Sequence, residues 1–526
     1  MNPLTELAEY EELNRDLNRG KGPVQISGCM DSQKVHLMWE AGETLPWKLV
    51  VTYDDSRAKE IYEDFRCFTD AVWLYPAKDL LFYNADIHGN LITRERMQVL
   101  RHLIEEKSGV VVTTIDGLMD HLLPLSMVES KILTVSQGEV IDIEEWRKRL
   151  VSLGYERMAQ VDGMGQFSIR GGIVDIFPLT EELPVRIELW GDEVDSIRSF
   201  DPESQRSVEQ LEEVVLYPAT EIVLTPEQVE MGLERITKSE KSYEKTLREQ
   251  FQTEEAHRIR SIIEEFKENL KDGMATGSLD SYLTYFCQDT VSFAEYFPAE
   301  ETAVFLDEPI RLKERGEAVE TEFRESMMNR LEKGYLLPEQ TSLLYSIRET
   351  LAELETPHTV CVTGLEQKLP GQEIKNRYSI QTRNINSYQN SFEMLIGDLK
   401  RWKKEKYRVV LLSGSRTRAS RLAGDLREYE LSAFCTDDPE RSVQPGEILV
   451  TYGVLHRGFE YPQIKFVVIT EGDMFGGSKK KRRKKKTSYE GKKIQSFTEL
   501  SIGDYVFHED HGLGIYRGIE KIEQDK

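Results

Sequence analysis

Residues 46–68, PWKLVVTYDDSRAKEIYEDFRCF, decide the fold class, because a valine-rich run is followed at once by a helical pattern. The order recurs downstream, where RERMQVLRHLIEEK at residues 94–107 has helical spacing and GVVVTT at residues 109–114 is a second valine-rich run. Short apolar runs of this kind are typical of buried strands. Strands that alternate with helices indicate a parallel sheet, so we predict an α/β domain whose first part spans residues 1–127.

The hydrophobic period changes to two between residues 128 and 217. The segments ERMAQVDGMGQFSIRGGIVDIFP (156–178) and LPVRIELWGDEVDSIRSFD (183–201) alternate apolar with polar residues between Gly and Asp turn signals. Only DIEEWRKRLVSLG (142–154) has clear helical spacing in this region. These patterns predict an antiparallel β insertion.

Residues 218–377 are predicted to be largely helical. Their longest periodic stretch is residues 244–270, and TAVFLDEP at residues 302–309 is a strand-like run that interrupts the helices. Residues 378–476 then return to the α/β pattern, with KYRVVLLSG (406–414) as their first clear strand. We therefore predict a second, smaller α/β domain there.

The remaining residues divide into a basic linker, residues 477–496, and the start of a small β domain, residues 497–526. The linker contains KKKRRKKKTSYEGKK (479–493), with ten basic residues and one acidic residue, whereas the whole chain carries a net charge of −25. Like charges in such a run repel one another, which favours a solvated tether; weak, salt-dependent phosphate contact by Lys479–Lys486 is the alternative. We expect the chain to end inside the β domain.

Composition excludes several classes of protein. A strongly acidic chain is a poor general binder of nucleic acid, because DNA affinity comes mainly from neutralised phosphates. The five cysteines are far apart and form no CxxC pair, which favours a reducing cytosol and no zinc site. No apolar run approaches the roughly 20 residues of a spanning helix. We expect a cytoplasmic protein without membrane contact.

The segment VQISGCMDSQKV, residues 24–35, stands where a first strand–helix turn would bind nucleotide. A P-loop needs GxxxxGK[ST], and Gly28 and Lys34 have the right spacing. However, Gln33 replaces the second glycine and Val35 replaces the magnesium ligand. The alternative to nucleotide binding, a surface lysine on a vestigial loop, is therefore favoured.

Asp307 and Glu308 end the VFLDEP strand and resemble a Walker B carboxylate pair. The alternative is two solvated carboxylates at the end of a strand. A spoiled P-loop with a retained Walker B-like strand indicates a degenerate nucleotide site. No catalytic residue and no metal site are predicted elsewhere.

One face of the predicted insertion carries side chains that are common in protein interfaces. Side chains alternate along a strand, so the predicted strands have an apolar face and an outer face. The apolar face holds Phe167, Ile169, Val185, Ile187 and Leu189. The outer face holds Gln166, Ser168, Arg170, Arg186, Glu188 and Trp190. Arg and Trp are enriched at binding hot spots, which favours an interface; a solvated face with a Trp packed across it is the alternative.

Together these segments resemble the N-terminal half of the bacterial transcription-repair coupling factors, the Mfd family, and that half is similar in turn to UvrB. The resemblance covers nearly the whole chain, and the order and spacing of its segments are more specific than any one of them. The segments are residues 74–103, RGGIVDIFP (170–178), RIELWGDEVDSIRSFDPESQRS (186–207), VFLDEP (304–309), GVLHRGFEYPQIKFVVITEGDMFG (453–476) and IGDYVFHEDHGLGIYRGIE (502–520).

The resemblance implies a fold and a partner for each part. Residues 1–377 would be one UvrB-like, degenerate RecA-like α/β domain that the β insertion splits into two parts, called here the split domain. The β insertion would bind UvrA, the damage-recognition ATPase. The UvrA-contacting residues of the family fall on Arg170, Arg186 and Trp190, where Trp190 replaces an expected phenylalanine. Residues 497–526 would begin a Tudor-like barrel that contacts RNA polymerase, truncated here.

The resemblance also implies what this chain lacks. The family displaces RNA polymerase stalled at lesions with an ATP-driven DNA translocase, and this chain has none of that translocase's motifs. ATP, magnesium and duplex DNA would thus belong to the missing half, and no cofactor is expected here. We expect a UvrA-recruiting adaptor for transcription-coupled nucleotide-excision repair. The alternatives are a UvrB-like ATPase or helicase acting on damaged DNA, and a transcription regulator acting through its terminal β segment.

Overall fold

The computed structural model describes residues 2–78, 89–271, 276–369, 373–389, 391–436, 441–476, 505–508 and 512–515. Met1–Gly476 form one compact unit, and Gly477–Lys526 form another. The predicted basic linker lies outside the described residues, as does the predicted terminal β domain apart from two short strands. Among the helices in the described ranges, none is long and apolar enough to cross a membrane.

The first part of the chain alternates helices and strands, which confirms the predicted α/β pattern. Its elements are α1 (Ala8–Asn18), β1 (Val24–Ser27), α2 (Ser32–Glu40), β2 (Trp47–Thr52), α3 (Asp55–Phe65), β3 (Val72–Tyr75), α4 (Gly89–Glu105), β4 (Gly109–Thr114), α5 (Ile115–Leu118) and α6 (Leu125–Glu129). Strands β2 and β4 pair in parallel, as their buried valine runs require.

The β insertion follows, and its predicted strands are confirmed. It consists of β5 (Leu133–Ser136), α7 (Ile143–Ser152), β6 (Glu156–Arg157), β7 (Gln166–Arg170), β8 (Ile173–Ile176), β9 (Val185–Trp190), β10 (Glu193–Phe200), β11 (Ser207–Leu211) and β12 (Glu213–Leu216). Six strands form one sheet in the order β11-β10-β9-β8-β7-β6. All its neighbours are antiparallel except β6 and β7, which pair in parallel. Strands β5 and β12, the first and last of the insertion, pair antiparallel with each other.

The next region is largely helical, as predicted, but its longest periodic stretch forms two helices, and the region contains three strands where the sequence indicated one strand-like run. The elements are α8 (Pro226–Glu249), α9 (Thr253–Lys271), α10 (Leu283–Phe286), β13 (Thr302–Asp307), α11 (Pro309–Glu332), α12 (Ile347–Leu354), β14 (Thr359–Thr363) and β15 (Asn376–Ser379). The side chain of Thr225 and that of Gln228 cap the start of α8 reciprocally. At Phe251 the backbone has φ 62°, a left-handed conformation that ends one helix and reverses the chain before the next.

A seven-stranded parallel sheet unites the two parts of the split domain, in the order β15-β1-β14-β13-β2-β4-β3. The predicted strand in TAVFLDEP is β13, which lies between β14 and β2 near the centre. Its end is therefore buried, and Asp307 projects from the same edge of the sheet as the loop after β1. This is the edge where ligands bind in open α/β sheets.

The second α/β region has its own six-stranded sheet, in the order β16-β20-β21-β17-β19-β18. Its elements are β16 (Arg383–Asn384), α13 (Phe392–Lys404), β17 (Arg408–Ser413), α14 (Arg416–Glu428), β18 (Ala433–Cys435), β19 (Ile448–Tyr452), β20 (Phe459–Tyr461), β21 (Phe466–Ile469) and α15 (Glu471–Phe475). Beyond them, β22 (Tyr505–His508) and β23 (Gly512–Ile515) form an antiparallel pair.

The two faces of the seven-stranded sheet pack into different cores. Leu49 and Val51 of β2 contribute to a core shared with the insertion and the helical region. Val50, between them, contributes to a core that also contains Phe459 and Tyr461 of the second α/β region. The second α/β region is thus joined to the split domain by continuous apolar packing.

Candidate functional site

The sheet of the insertion has the two faces that the sequence predicts. Val185 and Ile187 are buried in the core, whereas Trp190, at the end of β9, is 83% exposed. Gly191 follows with φ 66° and turns the chain into β10. An exposed tryptophan on a strand that is otherwise well packed is a large apolar group available to a partner.

Both predicted arginines lie on this outer face and share one acidic partner, Asp175 of β8. Nη2 of Arg170 donates to Oδ2 of Asp175 at 2.7 Å. Arg186 donates from Nε to Oδ1 at 2.7 Å and from Nη2 to Oδ2 at 2.9 Å. Asp175 was not among the residues predicted from the sequence. The signal that could have revealed it is its position between the apolar residues Val174 and Ile176, because side chains of a strand alternate between the two faces.

The two arginines differ in exposure. The side chain of Arg170 is 47% exposed, but that of Arg186 is only 16% exposed. Arg186 also lies over the Phe200 ring at 4.5 Å. Its hydrogen bonds to Asp175 raise the pKa of its guanidinium further above an already high value. Arg170 and Trp190 are therefore the accessible members of the predicted set.

The outer face also differs from the prediction at Ser168. This residue is buried, and its hydroxyl donates to the carbonyl oxygen of Ala159 at 3.0 Å. The segment before β7 covers this end of the face, which strand alternation by itself does not reveal. The face named here the docking face consists of Arg170, Asp175, Arg186, Glu188, Trp190 and Arg198.

The residues of the predicted degenerate nucleotide site lie at the carboxyl edge of the parallel sheet, where Lys34, Asp307 and Glu308 contact one another. Lys34 at the start of α2 binds Oδ1 of Asp307 at 2.6 Å and Oε1 of Glu308 at 2.6 Å. The side chain of Lys34 is buried, so the interpretation as a surface lysine is wrong. The ammonium group lies between two carboxylates, which makes its burial possible.

The interpretation of Asp307 as a solvated carboxylate is also wrong. Asp307 is fully buried and accepts a hydrogen bond from Thr52 at 2.9 Å and one from Arg57 at 3.4 Å. Burial raises the pKa of the Asp307 carboxyl, but the charges of Lys34 and Arg57 outweigh burial and lower it overall. Glu308 is partly exposed and accepts from the backbone N–H of Gly364 at 2.7 Å.

The second α/β region covers the loop around Gly28. A Cβ atom at Gly28, where φ is 98°, would lie 2.0 Å from the carbonyl oxygen of Ile380. The backbone N–H of Arg457 donates to the hydroxyl of Ser32 at 3.0 Å, and Gln33 donates to the carbonyl oxygen of Arg383 at 3.1 Å. Gly28 is thus required by close approach of the chain's own backbone.

These residues do not fit a magnesium–nucleotide complex. The lysine that would meet the phosphates is held by Asp307 and Glu308, and Val35 has no oxygen for a metal. The backbone of residues 380–383 contacts the loop that would surround the phosphates. Within the described ranges, no group of three or more His, Cys, Asp or Glu residues could hold a metal ion.

Comparison with known proteins agrees with this geometry. Residues 133–222, which contain the docking face, match the UvrB interaction domain family. Residues 500–526 match the CarD-like/TRCF RID domain family. The chain is 32% identical over 526 residues to the transcription-repair-coupling factor of Bacillus subtilis (strain 168). It is 29% identical over 529 residues to those of Staphylococcus aureus strains Mu50 and USA300.

The chain is therefore similar to the transcription-repair-coupling factors along almost its whole length. Each of these alignments covers 99% of this chain but only 44% of the relative, so the chain spans less than half the length of these coupling factors. The predicted resemblance and fold class are confirmed. The predicted contact residues Arg170, Arg186 and Trp190 stay predictions, as do the degenerate nucleotide site and Lys479–Lys486, which lies outside the described residues.

Proposed function

We propose that this chain recruits UvrA to transcription-coupled nucleotide-excision repair, through the docking face of its β insertion. The proposal is supported by the match of residues 133–222 to the UvrB interaction domain and by the names of the relatives. The observation that carries it is the exposure of Trp190 on β9 and the partial exposure of Arg170 on β7, both on the same face of the insertion sheet. Aromatic and arginine side chains of this kind dominate the energetics of protein interfaces.

The polymerase contact and the motor activity are the wider parts of the proposal. The match of residues 500–526 to a CarD-like/TRCF RID domain supports RNA polymerase as a second partner. ATP-driven displacement of stalled polymerase, and its duplex DNA substrate, would belong to the part of the coupling factors that this chain does not span. The expected setting is the bacterial cytoplasm, close to the nucleoid.

In this proposal the chain itself is an adaptor and not an enzyme. The alternative, a UvrB-like ATPase or helicase acting on damaged DNA, needs a free P-loop lysine and a magnesium ligand. The ion pairs of Lys34 with Asp307 and Glu308 argue against it. Equilibrium dialysis with labelled ATP and magnesium should detect no stoichiometric binding; a one-to-one complex would restore the enzyme hypothesis.

The recruiting role is tested by calorimetric titration of the unmutated chain, Trp190→Ala and Leu365→Ala with UvrA. Leu365 is an exposed apolar residue in the loop after β14, so Leu365→Ala is a control for the loss of exposed apolar surface. Trp190→Ala should weaken binding by about 2 kcal/mol or more, the size typical of a central hot spot, and Leu365→Ala should not change it. Equal affinity of all three proteins would place the contact elsewhere.

A further inference from the structure

Asp175 is a buried carboxylate on the outer face of the insertion sheet, which also carries the partly exposed Arg170, Arg186 and Glu188. It lies on β8 between two neighbouring strands, in register with Ser168 on one side and with Arg186 on the other. Both arginines of the predicted contact set donate to this carboxylate: Arg186 to both oxygens and Arg170 to Oδ2. Because Asp175 is almost inaccessible to solvent, a partner protein cannot reach it directly.

We propose that Asp175 is a positioning residue for the docking face, holding Arg170 and Arg186 in the orientation that binds UvrA. This inference rests on the proposed function, because it concerns how the same face works. Arg186 closes a two-point bond with the carboxylate and adds a hydrogen bond to Gln205 at 3.1 Å, so it is fixed within the sheet. Arg170 uses one terminal nitrogen for Asp175 and keeps nearly half of its side chain exposed.

Electrostatics explains why the carboxylate is needed at this position. Arg186 is in register with Arg198 on the adjacent strand β10, and Arg170 binds the carboxylate of Asp175 from β7, on the other side of β8. Three positive side chains therefore lie on one face of the sheet. Glu188 pairs with Arg198 and leaves Asp175 as the partner of the other two. Without Asp175, the two guanidinium groups would repel each other and lose the atoms that orient them.

The proposal assigns different tasks to residues that the resemblance treats alike. Arg170 and Trp190 are the accessible residues that would touch UvrA. Arg186, which is largely covered, would pair with Asp175 within the sheet and would not contact UvrA itself. A preorganised arginine binds a partner carboxylate with less loss of side-chain freedom than a mobile one, so the affinity depends on a residue outside the contact.

The test measures UvrA binding by the full chain and by the variants Asp175→Asn, Arg170→Ala and Asp175→Asn/Arg170→Ala. Calorimetry reports the dissociation constant and the stoichiometry separately. Asp175→Asn should raise the dissociation constant by about tenfold at unchanged stoichiometry, because the folded protein itself binds less well. If Asp175 had a purely structural role, Asp175→Asn would instead lower the fraction of protein molecules that are folded and able to bind UvrA. The dissociation constant of those folded molecules would stay unchanged.

The double variant shows whether Asp175 acts through Arg170. When Arg170 is already alanine, Asp175→Asn should cost clearly less than it does in the unmutated chain, because interacting residues are not additive. Full additivity would overturn the assignment. Asp120→Asn is the matched control: Asp120 is also buried and paired with an arginine, Arg96 at 2.8 Å, but it lies in the α/β domain. It should lower stability without changing the dissociation constant.

The remaining outcomes are also decisive. If the unmutated chain does not bind UvrA, the proposed function fails. If it binds and Asp175→Asn binds equally well, the positioning role alone fails. If Asp175→Asn does not fold, Arg186→Lys replaces it, since lysine keeps the charge but cannot make the two-point bond. Unchanged affinity of Arg186→Lys would then overturn the proposal.

Discussion

The surroundings of Arg186 determine which substitution can test its role in UvrA binding. Strand alternation places it on the outer face, where charge reversal would be the natural test of an interface. The structure shows that Arg186 neutralises the buried Asp175. A glutamate at this position would put two carboxylates together inside the sheet, so lost binding would not separate folding from docking. Trp190, which is exposed, avoids this ambiguity.

At the same scale, Lys34 should be essential for stability. Lys34→Met removes the ammonium group that pairs with Asp307 and Glu308 and leaves the buried Asp307 undercompensated. Removing one partner of a buried ion pair typically costs about 3 kcal/mol or more. Urea unfolding followed by circular dichroism should show a loss of that size in the free energy of unfolding.

The control for this prediction is Lys59→Met, a change of the same chemistry at an exposed position of α3. Surface substitutions of this kind usually change stability by less than about 0.5 kcal/mol. Similar free energies of unfolding for the two variants would contradict the structural role of Lys34. That result would mean that the ammonium group of Lys34 could be available to a ligand.

At the scale of elements, the reversal between α8 and α9 has a non-glycine residue in a left-handed conformation. Phe251 has φ 62°, and its side chain is 90% exposed. A left-handed conformation costs a residue with a Cβ about 1 kcal/mol relative to glycine. Phe251→Gly should therefore stabilise the chain by up to that amount, which thermal unfolding would register as a higher midpoint.

Gln252, the next residue, provides the matched control for the helical reversal. It is not among the residues with positive φ, so Gln252→Gly only adds freedom to the unfolded chain and should destabilise. Opposite signs for the two glycine variants would support the backbone explanation. A loss of stability in Phe251→Gly would show that the phenylalanine ring makes a contact that outweighs the backbone strain.

At the scale of the whole molecule, a histidine links the second α/β region to the split domain. Nδ1 of His456 lies 2.9 Å from Oδ1 of the buried Asp64, and Nε2 lies 3.3 Å from Glu63 on the same helix. The hydrogen bond to Asp64 raises the pKa of His456 above its ordinary value, with further contributions from Glu63 and Glu60. The protonated imidazole therefore stabilises the folded state.

The sign of the pH dependence follows from this raised pKa. The contribution of His456 is fully present below the unfolded pKa of about 6.5 and is lost as the pH rises through the higher folded pKa. As the pH rises above about 6.5, the free energy of unfolding should fall more steeply in the unmutated chain than in His456→Gln. His257→Gln, at an exposed position of α9, should keep the full dependence. Parallel curves for all three proteins would exclude the link.

The sequence by itself determined the local architecture and the resemblance to the coupling factors. Valine-rich runs between helical patterns predicted the parallel sheet, because a strand covered on both faces needs apolar residues throughout. Alternation in VRIELW predicted which side of β9 is buried, because side chains of a strand alternate whatever they pack against. Both are local properties, so neighbouring residues suffice to encode them.

Only the tertiary structure decided which charges are buried and what neutralises them. Lys34 and Asp307 are 273 positions apart and form an ion pair because the order of the parallel sheet places both at one edge. Asp175 lies beneath two arginines because three strands pair in one register. From local sequence a charged residue is predicted to be exposed to solvent, because burial of a charge requires an oppositely charged or hydrogen-bonding partner. When that partner is distant in the sequence, no short segment reveals it.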